Sequence, residues 1–348
     1  RQTISGRTGS PAVPCRNRQI NYKKAQARDP VPDLMTAQSG SGSDPAGKFY
    51  IRRHLMSVWQ AILQGMIQGL TEFLPVSSSG HLSIFQYFTG LSGESGAFFS
   101  IVLHLGTLFA VILAFFPTIW GLICEAFAML GDIFRGRFTF RRVSPKRKMI
   151  FLLIVSLLPL VFVVFLKDFY ESFSTDDGII VEGLCLIVTG ILLTLACQCP
   201  DTGKNAASMK YSDALAIGLA QAIAPMPGIS RSGSTVAVGM MMGLGKKFAV
   251  TFSFIMGIPA VLGAVILEIP EVVKNGLALP LHIVIIGFVT SLVFGLLAIA
   301  LVNRLVVSDK FRYFAYYTLI AGAIVVILGI IELFSGHVIQ QAITGMLA

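Results

Sequence analysis

The chain has 348 residues, 54% of them hydrophobic and only 13% Asp, Glu, Lys or Arg, about half the charged share of an ordinary soluble domain. With a mean hydropathy of +0.76, that composition excludes a soluble enzyme, a disordered chain and a disulfide-rich secreted module. The formal net charge of +9 is uneven: residues 1–55 hold 10 Lys/Arg against 3 Asp/Glu, whereas residues 56–348 hold 17 against 15.

Residues 1–55 are polar, rich in Ser, Gly and Pro, and lack both apolar periodicity and the apolar core of a signal peptide. They read either as a disordered basic tail that touches anionic lipid or nucleic acid, or as a segment foreign to the natural chain, with Met56 as its start; the second reading is preferred. From there the chain divides into 56–200 and 201–348, two halves of one integrated membrane domain.

Six apolar runs are long enough to cross a bilayer, at about 98–116, 149–166, 179–197, 249–267, 281–302 and 313–334. Two further apolar regions, 58–91 and 214–244, are broken near the middle by Pro, Gly and a Ser cluster. Irregular backbone at membrane depth survives only where protein or a water-filled cavity satisfies its polar groups, so each is expected to be a re-entrant helical hairpin. The loop 135–148 carries seven Lys/Arg and no acid, and with Arg304, Lys310 and Arg312 it should be cytoplasmic. The acidic loops 167–178 and 268–280 should face outward. Of the five Cys, Cys124, Cys185 and Cys197 fall in apolar runs and are expected to be buried, inert thiols; no metal-type Cys spacing occurs.

A gapless shift of 153 residues aligns the chain with itself. Gly65 meets Gly218, Gln68 meets Gln221, Ser77 meets Ser230, Ser79 meets Ser232, Gly80 meets Gly233, Gly90-Leu91 meets Gly243-Leu244, and Phe99-Ser100 meets Phe252-Ser253. Each unit then holds one broken hairpin and three spans. Because three is odd, the units have opposite orientations, and inverted repeats place their site near the midplane where broken helices meet. The expected fold is therefore an all-α polytopic membrane protein with six transmembrane helices and two re-entrant hairpins.

The first hairpin carries Gln68, Glu72, Pro75, Ser77, Ser78, Ser79, Gly80 and His81; the second carries Pro227, Gly228, Ser230, Arg231, Ser232, Gly233, Ser234 and Thr235. Gln68 and Glu72 share a helix face, and Pro75 ends or kinks that helix. The Ser-Gly turn offers backbone N–H groups and a helix N-terminus to an anion, while Arg231 supplies a planar fork suited to phosphate oxygens. Glu72, His81 and Arg231 are ionisable groups inside broken hairpins, where such groups are functional by default. A purely structural Glu72–Arg231 salt bridge would leave the Ser cluster and His81 unexplained. His104 is expected to pack between helices, and Glu125, Asp132 and Glu332 to be solvated near span ends.

At these residues the sequence resembles the undecaprenyl-diphosphate phosphatase family, integral-membrane enzymes also linked to bacitracin resistance, over roughly 56–335. The resemblance implies hydrolysis of the polyprenyl diphosphate lipid carrier to its monophosphate, on the outer face of the bacterial inner membrane, with a divalent cation (Mg2+ or Ca2+). Where the family often has Glu, this chain has Gln68, so the resemblance implies Glu72 as the indispensable acid and the metal ligand. Lipid phosphatases related to phosphatidic acid phosphatase also use Ser-Gly-His and Ser-Arg, but they require a His six residues after the Arg, where this chain has Ala237.

The expected catalytic set is Glu72, Ser78, His81 and Arg231, with Ser78, His81 or water as nucleophile. The expected substrate-binding set is Gln68, Ser77, Ser79, Gly80, Gly228, Ser230, Ser232, Gly233 and Thr235. The partners are the polyprenyl diphosphate and bilayer lipids, with no nucleic acid and room for a homodimer. The rival class is a secondary transporter or a flippase for a lipid phosphate or other anion, since inverted repeats with broken helices are also a transporter design.

Overall fold

In the computed structural model, residues 56–90, 94–139, 143–165, 178–275, 279–307 and 310–347 are described. The head 1–55 and most of the acidic loop 167–178 lie outside them. The described residues within His54–Ala348 form twelve helices. They are α1 (Val58–Phe73), α2 (Ser78–Thr89), α3 (Glu94–Ala114), α4 (Phe116–Phe134), α5 (Pro145–Phe165), α6 (Ile180–Gln198), α7 (Tyr211–Ile223), α8 (Arg231–Met241), α9 (Lys246–Asn275), α10 (Leu281–Val307), α11 (Arg312–Ser335) and α12 (Val338–Leu347).

Large apolar side chains such as Trp120, Phe127 and Phe162 face outward. Outward apolar rings are costly in water and stable in hydrocarbon. Among the described residues, five helices are long and apolar enough to cross a bilayer: Phe116–Phe134, Ile180–Gln198, Lys246–Pro270, Leu281–Val306 and Arg312–Ser335, with Phe98–Ala114 a shorter apolar helix. The protein is a multi-pass membrane protein.

Four features differ from the sequence expectation. First, α4 is a separate apolar helix where no span was expected. It buries only Leu122, and Arg147 at the start of α5 holds it through Glu125 at 2.9 Å and Asp132 at 2.8 Å; both acids therefore have a structural partner rather than solvent alone. Second, α9 continues to Asn275, so most of the expected 268–280 loop is helical. Third, Glu332 is buried, not solvated, and accepts the backbone N–H groups of Ile339 and Gln340 at the start of α12. Fourth, Cys124 is exposed; Cys185 is buried.

Lipid tails are as apolar as leucine, so packing between membrane helices depends on close backbone approach. A methyl group at Gly69 of α1 would lie 2.7 Å from the Ser291 carbonyl oxygen of α10, and one at Gly183 of α6 would lie 3.0 Å from the Gly322 carbonyl oxygen of α11. These seams hold α1 on α10 and α6 on α11. They thereby fix the helices that carry Glu72 and, as described below, Tyr317.

Candidate active site

The α1 helix starts at a capping box, in which Ser57 N–H donates to Gln60 Oε1 at 2.8 Å. It stops before Pro75, whose ring cannot continue a helix. The chain then turns through Ser77, the N-cap of α2, with φ 72°. Ser77 Oγ accepts the Gly80 N–H at 3.2 Å. The second break repeats the device: Gly228 has φ 92°, Ser230 caps α8, and its Oγ accepts the Gly233 N–H at 3.0 Å. In both loops the cap hydroxyl also meets that of the second serine, Ser77–Ser79 at 3.3 Å and Ser230–Ser232 at 3.4 Å.

The two loops touch. A methyl group at Gly80 would lie 2.9 Å from Gly228 Cα, and one at Gly233 would lie 3.3 Å from Pro75 Cβ. Ser232 Oγ donates to the Leu74 carbonyl at 3.2 Å. A side chain at 80 would drive the loops apart, and one at 233 would strike Ser230 within its own loop and press on Pro75.

Where the loops meet, Glu72 is buried and accepts three side-chain donors. Gln68 Nε2 reaches Oε2 at 2.8 Å, Ser78 Oγ reaches the same oxygen at 2.7 Å, and Arg231 Nη2 pairs with Oε1. The Arg231 fork lies against Gly257 of α9, at a point where any Cβ would collide with Nη1. Thr235 fixes the first turn of α8 by donating to the Arg231 carbonyl at 2.8 Å and by bonding Ser253 on α9. Glu72, Arg231 and Ser232 line a cleft together with Thr107, Ser253 and Gly257.

His81 belongs to the adjoining network. Its Nδ1 meets the Ser77 carbonyl at 2.7 Å, and its Nε2 meets the Tyr317 hydroxyl at 2.7 Å. The neighbouring residues Ser77 and Ser78 join the His81 network to that of Glu72. All the anticipated residues of the two hairpins are thus at one place: Gln68, Glu72, Ser78 and Arg231 in one bonded group, Ser77, Ser79, Gly80, Gly228, Ser230, Ser232 and Gly233 in the touching loops, Thr235 one turn beyond, and His81 on Ser77.

A hard divalent cation takes oxygen ligands, and Mg2+ in phosphate chemistry commonly uses one or two carboxylates plus substrate oxygens. Among the described residues no group of three or more His, Cys, Asp or Glu could form a cage. Gln68 Oε1, however, is buried without a hydrogen-bond partner beside the Glu72 carboxylate. That oxygen pair fits a cation carried largely by phosphate oxygens.

Residues 61–324 match the model of the bacitracin resistance protein BacA family. The chain belongs to this family. It is 39% identical over 279 residues to an undecaprenyl-diphosphatase of Alkaliphilus metalliredigens, covering 79% of this chain and 100% of the relative. It is 39% identical over 277 residues to one from Bacteroides fragilis (78% and 98%), and 34% identical over 281 residues to one from Methanosphaera stadtmanae (80% and 100%). The stretch matched to the BacA family contains both Ser loops and Tyr317; α12 lies beyond it.

Several residues at the site escaped the sequence reading. Ser253 sits in the Phe252-Ser253 pair of the internal alignment, which was signal enough to suspect it. Glu182 is a buried acid on α6 that accepts from Ser83 of α2 at 2.8 Å, and its presence in an apolar run was the available clue. His104, expected to pack between helices, bonds its own helix through the Ser100 carbonyl at 2.8 Å. Tyr317 belongs to no motif, and only the fold brings it to His81.

Proposed function

We infer that this protein is an undecaprenyl-diphosphatase, hydrolysing undecaprenyl diphosphate to undecaprenyl phosphate and inorganic phosphate and so recycling the lipid carrier of wall synthesis. The observation that carries the mechanism is the convergence of Ser78 Oγ, Arg231 and Gln68 on one buried Glu72 carboxylate.

In this reading the diphosphate displaces Glu72 from Arg231, whose fork then binds phosphate oxygens. Backbone N–H groups at the starts of α2 and α8 face the same anion. The Ser78 hydroxyl attacks the terminal phosphorus while Glu72 Oε2, already its hydrogen-bond acceptor, takes the proton. The new bond is Ser78 Oγ–P, and the bond that breaks is the bridging P–O, so undecaprenyl phosphate leaves. His81 Nε2 then accepts a proton from the water that attacks the phosphoserine phosphorus, the Ser78 Oγ–P bond breaks, Glu72 returns its proton to Ser78 Oγ, and inorganic phosphate leaves. Glu72 Oε1, once released by Arg231, and Gln68 Oε1 are the oxygens that would hold a divalent cation. When bound, that cation neutralises charge on the transferring phosphoryl group.

The repeat and the re-entrant hairpins are part of the same reading. The four helices α1, α2, α7 and α8 have 16, 12, 13 and 11 residues, short of the roughly 20 a span needs. Their two breaks carry the same Ser cap and meet tip to tip. This supports an inverted repeat with the site at its interface, opening toward the outer face if the Arg-rich 135–148 loop is cytoplasmic.

The test is phosphate release from undecaprenyl diphosphate by purified protein with and without added Mg2+ or Ca2+, followed by trapping of the phosphoenzyme. The reading expects a phosphoserine at Ser78 that is missing from Ser78→Ala. Phosphate release with no phosphoenzyme, at wild-type rate in Ser78→Ala, would replace Ser78 by water; no release with any cation would remove the phosphatase reading.

A further inference from the structure

We infer that Tyr317 is a positioning residue for His81, acting on the proton-accepting nitrogen through its hydroxyl. The inference rests on the reading of His81 as the proton-transfer group of the second step. A carbonyl oxygen can only accept, so the 2.7 Å contact to Ser77 O assigns the ring proton to Nδ1 and leaves the lone pair on Nε2. The Tyr317 hydroxyl, 2.7 Å from Nε2, is then the donor. The two rings lie nearly parallel, at 13°, with centroids 5.8 Å apart. His81 is therefore fixed at both nitrogens, the arrangement by which proton-transferring imidazoles are held in one tautomer and one direction.

Tyr317 is itself held. It lies on α11, which packs closely on α6 at Gly183 and Gly322. Farther along α11, the Glu332 carboxylate meets the hydroxyl of Tyr87 on α2 at 3.4 Å. The helix that carries Ser78 and His81 is thus tied to α11 at two points, one near each end of α2. About half of Tyr317 is exposed. Water entering for the second step replaces that hydroxyl at Nε2 without any change in the Nδ1 bond, and the tautomer needed for catalysis persists.

The experiment compares Tyr317→Phe, which keeps the ring and removes only the hydroxyl, with the wild type in two readouts. Steady-state hydrolysis should show kcat lowered about 10- to 100-fold with KM within about twofold, since the substrate clamp is untouched. In protein labelled with 15N-histidine, with the His81 signal assigned by its loss in His81→Gln, the wild type should show Nδ1 protonated and Nε2 bare. The Phe variant should keep the Nδ1 proton and show the bare Nε2 signal shifted by the loss of the hydroxyl's hydrogen bond. A wild-type kcat in Tyr317→Phe, or a lowered kcat with an unchanged His81 signal, overturns the inference. Full turnover by His81→Gln would instead overturn the role given to His81, and the 15N comparison would still report whether Tyr317 bonds its Nε2.

Discussion

The two Ser loops share a cap and divide the chemistry. Each begins a short helix with a serine whose Oγ takes the N–H three residues on, and each packs a glycine against the other. The first loop adds the groups that can exchange protons, Glu72 and His81; the second adds Arg231, which remains charged at any working pH. In the proposed mechanism the shared Ser cap is an anion-binding frame common to both loops, while the side chains that differ assign proton transfer to one loop and charge stabilisation to the other. The two loops are joined by charge as well, because the Glu72 carboxylate has its cationic partner on the opposite loop.

The largest effect should come from breaking the charged half. Arg231→Lys keeps the charge but loses the planar fork, and kcat/KM for undecaprenyl diphosphate should fall about 10²- to 10³-fold, the scale for losing one pre-organised donor to a transition-state oxyanion. Near-normal turnover of the Lys variant would show that Arg231 only balances Glu72. Next comes the proton-handling half: Glu72→Gln should cost far more activity than Gln68→Ala, because Glu72 receives Ser78, Gln68 and Arg231 whereas Gln68 gives one bond. The reverse order, measured under identical cation concentrations, would move the essential acid away from Glu72. A smaller effect is expected from Gly257→Ala. Its methyl group would strike Arg231 Nη1 and push the fork aside, so activity should drop about tenfold with thermal stability in detergent nearly unchanged. Wild-type activity in that variant would mean that the fork does not use this seat.

The loops were legible because their chemistry is local. Pro75, the Ser runs, Gly80 and Gly233 dictate breaks and caps over a few residues, and the 153-residue shift then pairs the breaks. Features set by distant partners were not legible. Glu125 and Asp132 made α4 the least apolar of the five candidate spans, and the residue that offsets their charge, Arg147, lies beyond the following loop. Glu332 looked like a solvated helix end because its partners, the first N–H groups of α12, exist only after the chain turns back at Gly336 and His337. Tyr317 stands 236 residues from His81, and no periodicity links them.

The finest difference between the loops is where each stores its unusual backbone. The second loop places positive φ on Gly228 (92°), and its cap, Ser230, sits at −76°; the first places it on the cap itself, Ser77, at 72°. A side chain in that region costs on the order of 1–3 kcal/mol, whereas glycine adopts it freely. Replacing either cap serine by glycine removes the same hydroxyl and strands the same kind of buried N–H, a loss of about 1–3 kcal/mol. Only at 77 does the change also relieve strain. Ser77→Gly should therefore melt within a few degrees of the wild type in detergent, while Ser230→Gly should melt clearly lower, the two differing by about 1–3 kcal/mol. Equal losses at both positions would mean that Ser77 is not strained and that the loops differ in side chains alone. A larger loss at 77 would mean that its hydroxyl, two residues ahead of Ser79 and bonded to it, holds more of the α2 start than the matching hydroxyl holds of α8.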